Sequence, residues 1–150
     1  MPESTSSAGQ AVAGLAVRIF RLEGVLSAAG DSLAAPFGQT SARWRVLAAV
    51  EEQPRTVAEI ARAWSFARQS VQRVADVLAR DGLVAYEDNP SHRRAKLVRL
   101  TPRGTATLAE IQTAQRAWAN GLGERLVERD LQTANRILSD ILDTLAEDDP

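Results

Sequence analysis

The chain has 150 residues, of which 45% are hydrophobic and 25% charged, values typical of a soluble globular domain. No apolar run reaches the roughly 18 residues that span a membrane, and the polar N-terminus lacks the pattern of a signal peptide. The absence of cysteine excludes disulfides, thiolate zinc sites and cysteine redox switches. We therefore expect a cytoplasmic protein in which residues 1–8 form a disordered leader.

The net charge of −1 conceals an uneven distribution along the chain. Residues 41–104 contain 12 basic and 7 acidic side chains, a net of +5, and the remainder contains 6 basic and 12 acidic side chains, a net of −6. A basic middle between acidic ends is expected when one face of a protein meets phosphate. Chance segregation of the charged residues would give the same pattern, so the charge distribution alone does not establish a phosphate-binding face.

The N-terminal third predicts two helices. Apolar residues recur at helical spacing over residues 9–29, and we expect this first helix to end at Gly30 and the turn over residues 36–38. Thr40 or Ser41 can cap a second helix, which stops near Pro54.

The next segment predicts a helix-turn-helix. Thr56 and Glu59 form a capping box for a short third helix, and the helical phase places Trp64 in the core. A turn over residues 65–67 leads into a fourth helix, which ends at Gly82. Two short helices joined by about three residues are typical of a helix-turn-helix.

A β-hairpin with a basic tip follows. Residues 83–87 and 95–100 have strand character, and the turn formers and positive charges of residues 88–94 lie between them. Thr101 then caps a fifth helix that reaches about Leu122, where glycines 121 and 123 should break it. A sixth, amphipathic helix is predicted over residues 130–145.

Two groups of polar residues are candidates for DNA contact. The fourth helix carries its apolar residues on one side and, on the other, Arg68, Gln69, Ser70, Gln72 and Arg73. Arg can bind guanine and Gln adenine in the major groove, although a solvated amphipathic helix would show the same pattern. The hairpin tip adds His92, Arg93 and Arg94, and a basic hairpin directly after a helix-turn-helix favours DNA binding.

The segment 89–104 resembles the wing of the MarR family of bacterial regulators, whose pattern is roughly D-P-x-D-x-R-x-x-x-V-x-L-T-x-x-G. The matching landmarks are Pro90, Arg94, Val98, Leu100, Thr101 and Gly104. Two positions depart from the family. His92 stands where an aspartate normally helps to hold the wing arginine, and Ala67 stands where a polar cap normally precedes the recognition helix, so we consider a start at Ser65 instead.

The resemblance implies a mainly α fold with a small β-hairpin wing. Residues 36–104 would form the winged helix-turn-helix lobe, residues 9–35 an N-terminal dimerisation helix, and residues 105–150 the C-terminal dimerisation helices. It implies a homodimeric repressor that binds a pseudo-palindromic site on double-stranded DNA.

The resemblance also implies release of the DNA by a small aromatic effector. Phe20, Trp44 and Trp118 lie on the elements that line the effector space in the family, with packing in the core as the alternative. No cofactor is implied, and one histidine without cysteine argues against a metal site.

Two other classes of function are less well supported by the sequence. A winged helix can serve as a protein–protein interaction module without sequence-specific DNA binding, but the basic wing argues against this role. An enzyme is not expected, because the sequence contains no paired nucleophile and base, no phosphate-binding glycine loop and no metal cluster.

Overall fold

A computed structural model describes residues 4–147 and confirms the predicted fold class, mainly α-helical with a small antiparallel sheet. The elements are α1 (Ser7–Ala34), a 3-10 turn (Ala35–Phe37), α2 (Ser41–Ala49), β1 (Arg55–Thr56), α3 (Val57–Trp64), α4 (Arg68–Arg80), β2 (Val84–Glu87), β3 (Leu97–Leu100), α5 (Pro102–Gly123) and α6 (Glu128–Glu147). Across the described residues, no helix combines the length and apolarity needed to cross a membrane.

The chain divides into two compact units, residues 1–112 and 113–150, and the boundary falls inside α5. The first unit contains the helix-turn-helix, the sheet and α1. The second contains the end of α5 and α6. The roles assigned above to residues 9–35, 36–104 and 105–150 stay predictions.

The core of the first unit lies where α2, α3, α4 and the sheet meet. Its buried side chains are Val46, Leu47, Val50, Ile60, Ala61, Val71, Ala75, Leu78, Leu83, Val84, Val98 and Leu108. Most of them come from one face of a helix, as amphipathic packing requires, and the strands contribute Val84 and Val98. This core fixes the direction of α4 relative to the sheet.

The helix-turn-helix forms through local capping, as predicted. The Thr56 hydroxyl accepts a hydrogen bond from the Glu59 amide (3.2 Å), and the Glu59 carboxylate accepts one from the Thr56 amide (2.9 Å). At the other end of α3, Ser65 adopts a left-handed conformation with φ of 53°. This conformation ends α3 and turns the chain into α4.

The first helix is longer at both ends than the sequence predicts. The Ser6 hydroxyl caps it by accepting a hydrogen bond from the Gly9 amide (3.0 Å), so Ser7 and Ala8 are helical and do not belong to a leader. Residues 1–3 lie outside the described residues. The helix also continues through Gly30, where a Cβ would lie 2.9 Å from the Ser41 hydroxyl oxygen. Glycine therefore serves close packing of α1 on α2 at this position, and the prediction of a helix end was wrong.

One further element bound was wrong, since helix α2 ends at Ala49, well short of Pro54. The predicted end of α5 and start of α6 agree with the structure to within two residues, at Gly123 and Glu128. Gly121 itself does not break α5, because a glycine lowers helix propensity by only about 1 kcal/mol and keeps the backbone hydrogen bonds.

The sequence reading also missed one strand. Strand β1 is only two residues long, and it pairs with β3 to give the sheet order β1-β3-β2. A two-residue strand has no alternation that a sequence pattern could reveal.

The wing is anchored at the junction of β3 and α5. The Thr101 hydroxyl donates to the Gly82 carbonyl (2.6 Å) and accepts from the Gly104 amide (3.0 Å). A Cβ on Gly104 would lie 1.9 Å from the Leu83 carbonyl oxygen, so only glycine allows this approach. These contacts give a physical reason for the Thr and Gly landmarks of the wing pattern.

Helix α6 of the second unit exposes its apolar face. The large apolar side chains that are at least 37% exposed on it are Leu131, Ile137, Leu138, Leu142 and Leu145. The predicted burial of this face is therefore not achieved within the single chain, where α6 contributes no buried residue.

Candidate nucleic-acid interface

The first turn of α4 presents polar side chains to solvent. Arg68, Gln69 and Ser70 are all exposed, and the helix begins at Arg68, with Ala67 as the N-cap. The alternative start at Ser65 was wrong, because that residue is the left-handed cap of α3. Ala67 makes no side-chain capping bond. The amides of this turn and the positive end of the helix are therefore available to an anion such as a DNA phosphate.

The loop between β2 and β3, residues 88–96, carries the predicted basic tip. The side chains of His92, Arg93 and Arg94 are exposed. The loop is shaped by Asn89, whose side-chain oxygen accepts from the Ser91 amide (3.0 Å) and whose carbonyl accepts from the His92 amide (3.2 Å). The tip is therefore a turn held by one side-chain and one backbone acceptor of Asn89.

The positive charge of the wing is concentrated at its tip. Lower in the wing, Arg99 pairs with Glu87 at 3.1 Å and Lys96 lies 4.0 Å from Asp88. Within residues 4–147, the Arg94 side chain makes neither a hydrogen bond nor an ion pair. His92, at the position of the family's aspartate, therefore does not hold Arg94 in this structure. The guanidinium is therefore free to bind a phosphate.

Part of each predicted patch lines one cleft of about 620 Å³, and the predicted residues outside its lining are Ser70, Arg73, His92 and Arg93. Arg68, Gln69 and Gln72 of α4 line one side, and Arg94 and Lys96 of the wing line the other. The fold thus brings residues some 25 positions apart in the sequence onto one surface. Arg73, also exposed, lies on the next turn of α4.

Gln72 belongs to a polar network that sequence reasoning missed. Its amide nitrogen donates to Asp76 Oδ1 (2.9 Å) and to the Tyr86 hydroxyl oxygen (3.0 Å), and that hydroxyl donates to Asp76 Oδ1 (2.5 Å). The i, i+4 spacing of Gln72 and Asp76 could have indicated their pairing. The contribution of Tyr86 depends on β2 packing beside α4, which no local pattern shows.

The network shifts the ionisation of both acidic groups. Hydrogen bonds from Tyr86 and then Gln72 hold the pKa of Asp76 below its ordinary value of 3.8. Burial is the largest cause that raises the pKa of Tyr86 well above 10.0. The hydrogen bond to the Asp76 carboxylate and the negative charge of that carboxylate raise it further. At neutral pH, Asp76 is therefore a carboxylate and Tyr86 a neutral phenol.

The predicted effector residues have different environments. Trp44 is half-buried and packs on the helix-turn-helix core. Phe20 on α1 is 77% exposed, and Trp118, in the second unit, is 37% exposed. Among residues 4–147, no group of three His, Asp or Glu side chains is arranged to hold a metal ion.

Trp64 is a correction to the predicted core. Its side chain is 41% exposed rather than buried. It lies in the last turn of α3, where the chain turns away, and its indole ring is covered by Arg45 instead of by the core.

Comparison with known proteins identifies the family. A sequence model described as the MarR family matches residues 37–95, which span the helix-turn-helix and the first half of the wing. The chain belongs to the MarR family. An uncharacterized protein of Mycobacterium tuberculosis is 40% identical over 100 residues, which cover 67% of this chain and 70% of the relative.

Two solved structures share the fold. A mutant of Escherichia coli MarR complexed with operator DNA superposes with a TM-score of 0.77 at 22% identity, over 91% of this chain and 99% of that one. CouR from Rhodococcus jostii RHA1, bound to p-coumaroyl-CoA, superposes with a TM-score of 0.76 at 21% identity, over 85% and 90%.

Family membership confirms the class of function predicted from the wing. As a MarR-family protein, the chain is a DNA-binding transcription regulator and not an enzyme. The assignment of individual residues to DNA or effector contacts stays a prediction.

Proposed function

We propose that this MarR-family protein is a homodimeric repressor that binds a pseudo-palindromic operator and releases it on binding a small aromatic effector. The observation that carries the proposal is the cleft whose two walls are the exposed first turns of α4 and the basic wing. A helix N-terminus and a basic hairpin on one surface can engage a groove and the adjacent backbone together.

The two walls would make different kinds of contact. Arg68, Gln69 and Ser70 lie on the part of α4 that a winged lobe inserts into the major groove, where Arg and Gln can read base edges. Arg93 and Arg94 would lie against phosphate or in a narrow minor groove, whose negative potential attracts arginine. The helix would supply sequence preference, and the wing would supply affinity that falls as salt rises.

The dimer is supported by apolar surface that the single chain leaves uncovered. Besides the exposed face of α6, helix α1 exposes Val12, Val17, Phe20, Leu22 and Val25, each by more than half of its surface. Soluble monomers rarely expose apolar surface on this scale. A second copy related by a two-fold axis would cover such faces with the same faces of its own. Two lobes would then meet half-sites about 10 base pairs apart.

The effector is proposed from the family and from the aromatic residues. CouR, a structural neighbour, binds p-coumaroyl-CoA. Phe20, Trp44 and Trp118 offer aromatic surface on α1, α2 and α5 respectively. We therefore expect an aromatic acid or its coenzyme A thioester to weaken DNA binding.

Footprinting on the DNA immediately upstream of the coding sequence tests the proposal. We expect protection of two half-sites about one helical turn apart, and loss of that protection when p-coumaric acid or p-coumaroyl-CoA is added. The charge-matched control is Arg129→Ala, since this arginine is exposed on α6 and lies outside the cleft. Binding no tighter than to unrelated DNA would contradict the operator proposal and favour a protein-interaction module.

A further inference from the structure

The carboxylate of Asp76 has one oxygen held inside the protein and one that is unbonded. Oδ1 accepts a hydrogen bond from the Gln72 amide nitrogen (2.9 Å) and another from the Tyr86 hydroxyl (2.5 Å). Within residues 4–147, Oδ2 accepts no hydrogen bond. Because an ionised carboxylate only accepts hydrogen bonds, Oδ2 is a fixed acceptor that remains available to a ligand.

The arginines of α4 do not neutralise this carboxylate. Arg73 precedes Asp76 by three positions and Arg80 follows it by four, the spacings at which ion pairs form along a helix. In the part of the chain that the structure describes, Asp76 pairs with neither arginine, and its donors are the neutral groups of Gln72 and Tyr86. The carboxylate therefore keeps its negative charge toward whatever binds beside it.

Asp76 lies in the cleft proposed to meet DNA, one helical turn beyond Gln72 on the same face of α4. Of the described residues that line this cleft, it is the one acid, and the bases are Arg68, Arg94 and Lys96. A carboxylate repels DNA phosphates, so it lowers the affinity for every duplex unless a base supplies a hydrogen-bond donor. In the major groove, cytosine presents its N4 amine as a donor without an acceptor on the same base.

We propose that Asp76 is a specificity-determining residue of α4, whose free carboxylate oxygen accepts a hydrogen bond from cytosine N4. Guanine and thymine are excluded because their O6 and O4 atoms are acceptors, and adenine is disfavoured because its N7 acceptor lies beside its N6 amine. Tyr86 and Gln72 are positioning residues, since their bonds to Oδ1 order the carboxylate before DNA arrives. The inference rests on the proposed function, because it assigns a base preference to the same surface.

Three substitutions separate the roles of these residues. Asp76→Ala removes the acceptor and should flatten the preference at one position of each half-site. Asp76→Asn should keep its oxygen toward the donors of Tyr86 and Gln72, which places an amide NH2 where Oδ2 was and moves the preference to guanine or thymine. Tyr86→Phe should weaken the cytosine preference without changing the preferred base, and it should have no further effect on that position when combined with Asp76→Ala.

The experiment is selection of bound duplexes from a randomised DNA library by the full-length wild type and each variant, with affinity for one unrelated duplex measured in parallel. With wild type, we expect cytosine about tenfold over the other bases at the position that Asp76→Ala flattens, the factor typical of a hydrogen bond to a charged group. Asp76→Ala should also bind the unrelated duplex more tightly, because it removes a negative charge from the cleft. Asp140→Ala removes the same charge from an exposed position on α6 and should change neither the motif nor the affinity for unrelated DNA.

The outcomes distinguish the inference from the function on which it rests. Selection of no motif by wild type would overturn the proposed function, and the inference with it. A clear wild-type motif in which Asp76→Ala flattens no position, or in which the flattened position is not cytosine, would overturn the inference alone. So would weaker binding of Asp76→Ala to every duplex with its motif intact, because the carboxylate would then only support the fold.

Discussion

Arg45 lies over the indole ring of Trp64, with its guanidinium carbon 5.7 Å from the ring centroid, and 5.4 Å from the centroid of Phe66. The same guanidinium donates to the Ser27 hydroxyl (2.9 Å) and lies 3.6 Å from the Glu23 carboxylate. One side chain of α2 thus ties the turn between α3 and α4 to α1. This explains how an exposed tryptophan is held without entering the core.

Replacing Arg45 with alanine should destabilise the protein measurably. It removes two cation–π contacts and a hydrogen bond from a side chain that is 22% exposed, and we expect the free energy of unfolding to fall by about 1–2 kcal/mol. Urea unfolding measures this as a lower midpoint with an unchanged slope. The control is Arg43→Ala, which loses only a 3.3 Å bond to the Gly38 carbonyl. Equal effects of the two substitutions would refute a special role for Arg45.

Gly104→Ala should be far more damaging than other glycine substitutions. The new methyl group would overlap the Leu83 carbonyl oxygen, 1.9 Å away, and the junction of wing and α5 would have to move. We expect a loss of more than about 3 kcal/mol in the free energy of unfolding. Gly121→Ala is the matched control. It meets nothing within 4 Å and should stabilise α5 by about 0.5–1 kcal/mol through helix propensity. Thermal unfolding of both variants would show shifts of opposite sign.

Arg94→Ala should weaken DNA binding uniformly across sequences. Its guanidinium is exposed at the wing tip and can neutralise a phosphate. Each such contact contributes about −0.9 to the slope of log affinity against log salt, so a dimer using both wings should lose about 1.8 from that slope. Fluorescence anisotropy on operator and unrelated DNA at several salt concentrations gives the slopes. If wild type and Arg94→Ala shared one slope while Arg129→Ala behaved as wild type, the wing would not contact phosphate.

Leu142→Glu should separate the proposed dimer. The Leu142 side chain is 66% exposed in the single chain. In a two-fold interface, the new carboxylate would be buried against apolar surface or against the same carboxylate of the second copy, and either arrangement is unfavourable. Sedimentation analysis should show wild type as a dimer and the variant as a monomer at the same concentration. Thr133→Glu, on the opposite, polar side of α6, adds the same charge and should remain dimeric. A dimeric Leu142→Glu would place the interface elsewhere.

Tyr86 should titrate well above an ordinary tyrosine. It is the single tyrosine of the sequence, so ultraviolet absorbance follows its ionisation without interference from other phenols. Because its folded-state pKa is raised above 10.0, the stability it contributes is present below pH 10 and is lost as the pH rises through the folded-state value. Asp76→Asn should lower the midpoint but leave it above 10.0, since burial is the largest cause of the shift. An unchanged midpoint in that variant would mean that Asp76 and Tyr86 do not interact in solution.

Local sequence signals predicted the elements that depend on near neighbours. The Thr56 capping box and the amphipathic face of α4 both act within one or two helical turns, and both are present. Predictions failed where contacts between residues distant in the sequence determine the structure. Gly30 was predicted to end α1, but it serves the close packing of α1 on Ser41. Trp64 was predicted to be buried, but its ring packs against Arg45 outside the core. Strand β1 exists because β3 is beside it.

The sequence by itself determined the class of this protein, because the wing pattern and the order of the helices can both be recognised from the spacing of residues close together in the chain. Thr101 and Gly104 show why such a pattern is specific, since each meets a steric or hydrogen-bonding demand of the wing junction. Only the tertiary structure placed Tyr86 beside Asp76 and Gln72. That contact needs a strand and a helix to pack together, and no local spacing along the chain encodes such packing.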